Sequence, residues 1–479
     1  MPEAVRLDSA VGRGVLVAAV LGSGMAMLDG TVVNVALRRI GQDLDASLAQ
    51  LQWITNAYLL ALASLILVGG SLGDRFGRRR VFEVGVVWFA LASLVCGVAQ
   101  NPSQLIAARA VQGVGAAMLT PGSLAMIQGA FAPEDRARAI GSWSGLGGIA
   151  AAIGPFVGGW LVQYATWRWV FLLNLPLAVI TVAIARRSVP ETNDPDSVPG
   201  FDVLGAALGA LGLGGLTFAL IELGNLDTRL VVLSAVTGVV SAAGFVVVER
   251  RSRHPMMPTS LFGSRQFSAA NAMTLLVYAA LGGVIFFLVL QLQTVAGYAP
   301  LSAGLATVPI TVVMLLFASR GGQLAARIGP RLPMSLGPIV CAVGIALLTG
   351  VGPHAAYWPE VFPGVTVFAF GLALLVAPLT ATVLSAAPDH NAGIASGINN
   401  AVARAGSLLA VAALPTVVGL SGADYDQPDA FSAGYSSALW ICVAMLVCGG
   451  VVAWLLIRNP VRAGESGLGP LVSQVETSP

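Results

Sequence analysis

The sequence contains no lysine. A phosphate-binding loop of the form G-x-x-x-x-G-K-[ST] depends on that residue, so a Walker-type ATPase site is excluded within this chain. Histidine is almost as scarce: His254, His354 and His390 all fall between apolar runs. No H-E-x-x-H pair and no selectivity-filter sequence occurs, which argues against a membrane metalloenzyme or a channel. The four cysteines, Cys96, Cys341, Cys442 and Cys448, lie inside apolar runs. Their spacing suits neither a zinc site nor a disulfide framework, so they read as small buried hydrophobes. Charge is also sparse, at 10% of residues against 56% hydrophobic. That balance excludes an ordinary soluble domain and indicates a polytopic membrane protein.

All 25 basic residues are arginine, and with 57 glycines and abundant alanine the composition suggests a GC-rich bacterial genome. The net charge of +2 says little about partners, and no nucleic-acid partner is expected. Apolar runs occur at about 15–37, 51–71, 81–99, 103–126, 138–160, 168–186, 203–222, 230–248, 268–290, 302–320, 332–350, 360–385, 393–418 and 436–457. Each approaches the ~20 residues needed to cross the hydrocarbon core, giving about fourteen spans. With the N-terminus inside, nineteen arginines fall on the cytoplasmic side. Arg38, Arg39, Arg168 and Arg229 fall outside, and Arg109 and Arg404 lie within spans. This asymmetry supports an even number of spans with both ends cytoplasmic. The first run is too long for a signal peptide and is expected to be retained.

The densest charge lies in the short connection Gly70–Arg80, which holds Arg75, Arg78, Arg79, Arg80 and Asp74. Gly73 and Gly77 are expected to let the backbone turn there. The pattern returns 252 residues later, with Gly70, Leu72, Arg75, Gly77 and Arg79 recurring as Gly322, Leu324, Arg327, Gly329 and Arg331. Ala326 stands where the acid was. A repeat at fixed offset implies duplicated halves. At roughly 31 residues per span and connection, the offset holds eight spans, so two spans are inserted between two six-span halves. The expected division is a six-helix bundle over 1–188, linker plus inserted pair over 189–266, a second bundle over 267–458, and a disordered cytoplasmic tail over 459–479. The basic connections Arg186-Arg187 and Glu249–Gln266 serve topology or hold anionic lipid.

The pattern G-x-L-x-D-R-x-G-R-R resembles the loop signature of the major facilitator superfamily, between its helices 2 and 3. Leu28–Leu37, with Asp29 and Asn34, resembles the helix-1 signature L-D-x-T-V-V-N-V-A-L-P of the fourteen-helix drug:proton antiporters, with Arg38 in place of the final proline. Leu105, Arg109, Gln112, Gly113, Gly115 and Ala116 resemble the superfamily's helix-4 motif, whose arginine is linked to proton coupling. Gly154, Pro155, Gly158 and Gly159 are similar to the G-P-x-x-G-G motif associated with antiporters. Trp167–Pro176, including Asn174, resembles the start of helix 6 in the same family, its tryptophans read as interfacial anchors. Gly297–Leu305 resembles the link between helices 9 and 10, and Gly393–Gly406 the polar helix 13, with Asn399, Asn400 and Arg404.

The resemblance implies an all-α major facilitator fold, spanning the bacterial inner membrane as a monomer. It implies export of a small amphipathic compound with the proton as coupling ion and no other cofactor, by rocking of two halves. An importing symporter of the same fold is the alternative. A carboxylate inside a span is a functional candidate by default. Asp29 and Arg109 both lie on the order of 10 Å below the outer surface, counted at ~1.5 Å per residue, so they can pair. Asp74 with the loop arginines is expected to latch the cytoplasmic side. Asn34, Gln112, Asn174, Asn399, Asn400 and Arg404 are the expected polar lining of the substrate cavity, although packing accounts equally for the asparagines of the thirteenth span. With two arginines inside and Asp29 as the one mid-span acid, neutral, zwitterionic or anionic lipophiles are favoured over dications.

Overall fold

The computed structural model describes residues 5–193, 202–252, 255–388, 391–422 and 424–459. Most of the expected linker (194–201), Arg253, His254, Asp389, His390 and the tail from 460 onward lie outside the described residues. The first group of helices is α1 (Ala10–Leu44), α2 (Leu48–Phe76), α3 (Arg78–Gly97), α4 (Pro102–Ala130), α5 (Pro133–Tyr164), α6 (Trp169–Leu172) and α7 (Asn174–Ser188). A pair follows, α8 (Val203–Glu222) and α9 (Thr228–Arg251). The last group is α10 (Arg265–Thr294), α11 (Pro300–Ala306), α12 (Val308–Ile328), α13 (Arg331–Leu348), α14 (Phe362–Ser385), α15 (Ala392–Val417) and α16 (Pro428–Leu456).

Thirteen helical segments among the described residues are long and apolar enough to cross a membrane, with α6–α7 and α11–α12 each counted as one. The 32-residue α5, packed lengthwise on α1, is a further long helix. The two interruptions have a local cause. Pro176 and Pro309 lack the amide that would bond four residues back, to Leu172 and Leu305. Ends are set by capping: Ser47 and Gln50 form a reciprocal capping box at the start of α2, and Asn101 caps α4. Helix α1 runs through Arg38 without interruption and ends at Leu44.

The arginine-rich connections are tighter than the sequence suggests. Helix α2 continues through Gly70, Gly73 and Asp74 to Phe76, and α3 begins at Arg78. Gly77 alone makes the turn, at φ 104°, and its repeat Gly329 does the same at φ 89°. A side chain at either position would be strained, which explains why both glycines recur. Gly73 is not a second turn: it is helical, and its carbonyl accepts the Gly77 amide.

Helices α1–α7 and α10–α16 pack mainly within their own groups, and they are fastened to each other at the end opposite the arginine turns. There the Arg38 guanidinium donates to the Gln293 carbonyl (2.7 Å), and the Gln293 amide donates to the Val35 carbonyl (2.9 Å). The Gln52 amide donates to the carbonyls of Val411 (2.7 Å) and Ala412 (3.0 Å). Asp426 faces Arg38 at 3.6 Å. The largest apolar cluster runs across this seam, from Leu28, Val32 and Leu37 to Phe286, Phe287 and Phe431. A smaller one, around Val15, Tyr58, Phe82 and Phe131, belongs to the first group. The α8–α9 pair lies outside the seam. Its glycines Gly215 and Gly238 bring the two backbones together, and α8 touches both α2 and α15.

Helix α5 explains the glycine motif. Gly154 and Gly158 face Thr31 and Val32 of α1, so close that a Cβ would collide. Gly159 faces the backbone of Pro300 and Leu301, and Gly304 faces Pro155. One glycine surface thus serves packing within the first group, and another serves the seam. Gly304→Val is expected to destabilise the sealed arrangement by about 1–3 kcal/mol through overpacking. Cysteine cross-linking of positions 163 and 301 across the seam would report it as reduced yield with unchanged membrane insertion.

Trp167 is not an interfacial anchor: it is fully buried, edge-on to Phe171, with its indole N–H donating to Asp43 (3.1 Å). Its neighbour Trp169 is exposed. Cys96, Cys341 and Cys442 are buried, but Cys448 is exposed on the outer face of α16.

Candidate functional site

Helices α1, α2, α3, α4 and α7 converge on one buried polar cluster. Asp29 of α1 and Arg109 of α4 are both fully buried. The Arg109 guanidinium donates to the Asp29 carboxylate (2.5 Å), to the Gln112 side-chain carbonyl (2.6 Å) and to the Ile54 backbone carbonyl (3.1 Å). The Gln112 amide in turn donates to the other Asp29 oxygen (2.8 Å) and to the Ser93 hydroxyl (2.7 Å). The Asn174 amide donates to Ser93 (3.2 Å) and more weakly to Asp29 (3.5 Å). Rings of Tyr58 and Phe171 lie 4.3 and 5.7 Å from the guanidinium carbon. Residues 109 and 112 share a face of α4, being three apart, so one helix supplies the cation and its bridging amide.

Arg109 therefore has acceptors besides Asp29: two carbonyl oxygens and two aromatic faces. The cation stays bonded if the carboxylate takes up a proton. Gln112 can follow the change, because it both accepts from Arg109 and donates to Asp29.

Gln112 and Asn174, expected on the wall of a substrate cavity, are fully buried and bonded to Asp29. Asn34 is half-buried and its amide donates to the Gly30 carbonyl of its own helix (2.9 Å). The Asn399 amide donates to Asn271 (3.2 Å) and Thr274 (2.7 Å) of α10. Asn400 is exposed and its amide donates to Ser396 (3.0 Å). Arg404 is half-buried one turn further along the same face. Ser93, Tyr58 and the Ile54 carbonyl complete the cluster around Asp29 without having carried a sequence signal. A serine or tyrosine in an apolar run is ordinary, and a carbonyl has no letter.

The arginine turns form a second polar site. Asp74 pairs with Arg78, four residues on, across the α2–α3 corner at 2.8 Å. Glu191, from the segment after α7, accepts the backbone amide of Arg79 (3.1 Å) and faces Arg79 and Arg80 at 3.6 Å each. Glu83 accepts from Arg186 (3.2 Å). The second half repeats the geometry without the acids. Asn459, after α16, accepts the Arg331 amide (3.1 Å), as Glu191 does for Arg79. Ala326 replaces Asp74, and Ser335 stands 252 residues after Glu83. Arg331 donates to the Trp454 carbonyl (2.8 Å). The repeated device is thus a capped glycine corner, and only the first copy is an ionic network. Asp74→Asn should lower transport about tenfold, the order of one charge-assisted hydrogen bond, with the amount of inserted protein unchanged. Transport assays normalised to membrane protein would read this.

The bundle, its duplicated corners and a charge pair buried within it define a multi-pass membrane transporter, not an enzyme. The chain belongs to the Major Facilitator Superfamily, whose family model matches residues 19–411. It is 34% identical over 455 residues to the puromycin resistance protein pur8 of Streptomyces alboniger, covering 92% of this chain and 90% of that one. It is 33% identical to a methylenomycin A resistance protein of Bacillus subtilis, covering 95% and 97%. It is 37% identical to a probable actinorhodin transporter of Streptomyces coelicolor, covering 82% and 70%. Among solved structures, a peptide transporter in complex with sulfate superposes with TM-score 0.70 at 14% identity, covering 95% of this chain and 97% of that one. The inward-open xylose transporter XylE of E. coli superposes with TM-score 0.64 at 14% identity, covering 94% and 97%. At those identities the structures speak for the fold alone.

Proposed function

We propose that this protein exports small amphipathic compounds, of the antibiotic or secondary-metabolite kind, in exchange for protons across the bacterial inner membrane. The observation that carries the reading is the fully buried Asp29–Arg109 pair, set in a cluster shared by five helices. The relatives named for resistance to puromycin and methylenomycin A support the direction and the substrate type. On this reading residues 1–188 and 267–458 are two six-helix bundles that rock about a central cavity, and 189–266 carries the linker and inserted pair. Both ends lie in the cytoplasm. Asp29 takes a proton when the outer seal opens, and releases it when the cavity opens to the cytoplasm and Arg109 again faces an ionised carboxylate. Substrate and proton use the cycle in opposite directions, which is antiport. The ionic corner of Asp74, Arg78, Arg79 and Glu191 steadies the cytoplasmic side of the first bundle, while Gly154, Pro155, Gly158 and Gly159 let the outer seam close.

The test uses inside-out vesicles from cells stripped of their own pumps, with puromycin and a varied compound panel. An acid-inside gradient should drive accumulation of at least one compound, and a protonophore should abolish it. Accumulation that requires protons to move the same way as the compound would establish symport and overturn the reading.

A further inference from the structure

The cluster at Asp29 leaves one intramembrane cation unused. Arg404 lies in the middle of α15, 12 residues from its start at Ala392 and 13 from its end at Val417. At ~1.5 Å per residue this is roughly 18 Å from either end, too deep for a lipid headgroup. Arg404 is half-buried, and among the described residues it makes no hydrogen bond and no ion pair. Its helix packs against α10 of the last group and α2 of the first, so it lies between the two groups. Neighbouring positions fix that placement. Gly397 faces Leu67 of α2, Ala401 packs against the apolar cluster of the first group, and the Ser407 hydroxyl donates to the Tyr278 carbonyl (2.9 Å).

Among the described residues no carboxylate forms an ion pair with it. The fully buried charged side chains among the described residues are Asp29, Arg109 and Glu249. Asp29 is committed to Arg109, and Glu249 sits at the end of α9, accepting the Met257 amide (3.0 Å). A guanidinium keeps its charge in any accessible pH range, and its fork matches the paired oxygens of a carboxylate or sulfonate. Holding such a group half-buried and unpaired is costly, and an arriving anion relieves that cost. Exposed Asn400, one turn away, offers a further polar contact, and Leu67 and Ala401 offer an apolar one.

We propose that Arg404 receives the acidic group of the substrate, so that the transported class is amphipathic organic anions with an apolar body. This rests on the export reading for its physiological sense, but the binding site stands separately. Tyr58 of the facing α2 has its ring against Arg109, and its hydroxyl donates to the Ala26 carbonyl (3.4 Å).

The experiment compares three fluorescent probes that share the dansyl group: dansylglycine (anionic), its close analogue dansylglycinamide (neutral) and dansylcadaverine (cationic). Binding to purified full-length protein is measured for wild type, Arg404→Gln and Arg404→Lys, each first checked for a monodisperse, thermally cooperative state. Wild type should bind the acid about tenfold more tightly than the amide, and the cation least. Arg404→Gln should erase the acid–amide difference, and Arg404→Lys should keep part of it. Equal binding of acid and amide by wild type, or no binding of the acid, overturns the proposal without any variant. A preference that survives Arg404→Gln also overturns it. Proton-driven transport of the probes is read in parallel. Preference without transport would count against the export reading and leave the anion site standing.

Discussion

Asp29→Asn is expected to bring proton-driven export down to the level of empty vesicles, while substrate binding and substrate–substrate exchange remain. Asparagine has nearly the shape of a protonated aspartate and can still accept from Arg109 and meet Gln112. The variant should fold for the reason given by the site itself. Arg109 keeps the Gln112 and Ile54 carbonyls and the Tyr58 and Phe171 rings when its counter-ion is gone. Binding is measured by fluorescence titration, exchange by counterflow of labelled compound, and coupling by an imposed pH gradient. Loss of all three together would mean a structural aspartate. Retention of uphill export would remove Asp29 from coupling.

The second large effect is on the arginine. Arg109→Ala deletes the hub of the cluster: three hydrogen bonds, two aromatic contacts and the counter-charge of a buried carboxylate. Breaking a buried pair on one side typically costs about 3–5 kcal/mol. Thermal unfolding in detergent should shift accordingly, and export should be uncoupled from the gradient. The cost falls if Asp29 neutralises itself by holding a proton, so Arg109→Ala with Asp29→Asn should be less destabilised than the sum of the two. Arg109→Lys retains the charge but not the fork, and cannot serve Asp29, Gln112 and Ile54 together. It should keep partial coupling. Full activity in Arg109→Ala would contradict the assignment.

Much of this was legible in the letters. The recurrence of Gly77 as Gly329 pointed to a backbone requirement, and both carry positive φ. The depths of Asp29 and Arg109 followed from helical rise alone, because a helix converts sequence position into distance. What stayed hidden depends on contacts between segments far apart in the chain. Glu191 could be read as linker acidity, but not as the cap of the Arg79 amide 112 residues earlier. Arg38 appeared only as a departure from a pattern, and its bond to the Gln293 carbonyl lies 255 residues away. Gln112 and Asn174 were polar letters in apolar runs, which marks them as functional but does not say whether they face a cavity or a buried acid. Trp167 stood beside Arg168 at a span edge, as an interfacial residue does, but it is buried, with its indole bonded to Asp43 of α1.

If Asp29 carries the proton exchanged for substrate, substrate movement alone must drive protons the other way. The most direct measurement imposes an outward-driven substrate gradient on proteoliposomes holding a pH-sensitive dye, with no pH gradient at the start. Wild type should move protons opposite to the substrate and shift the dye, and the shift should vanish with a protonophore. Asp29→Asn should move substrate down its gradient with no shift in the dye. A dye response from Asp29→Asn equal to that of wild type would contradict the account.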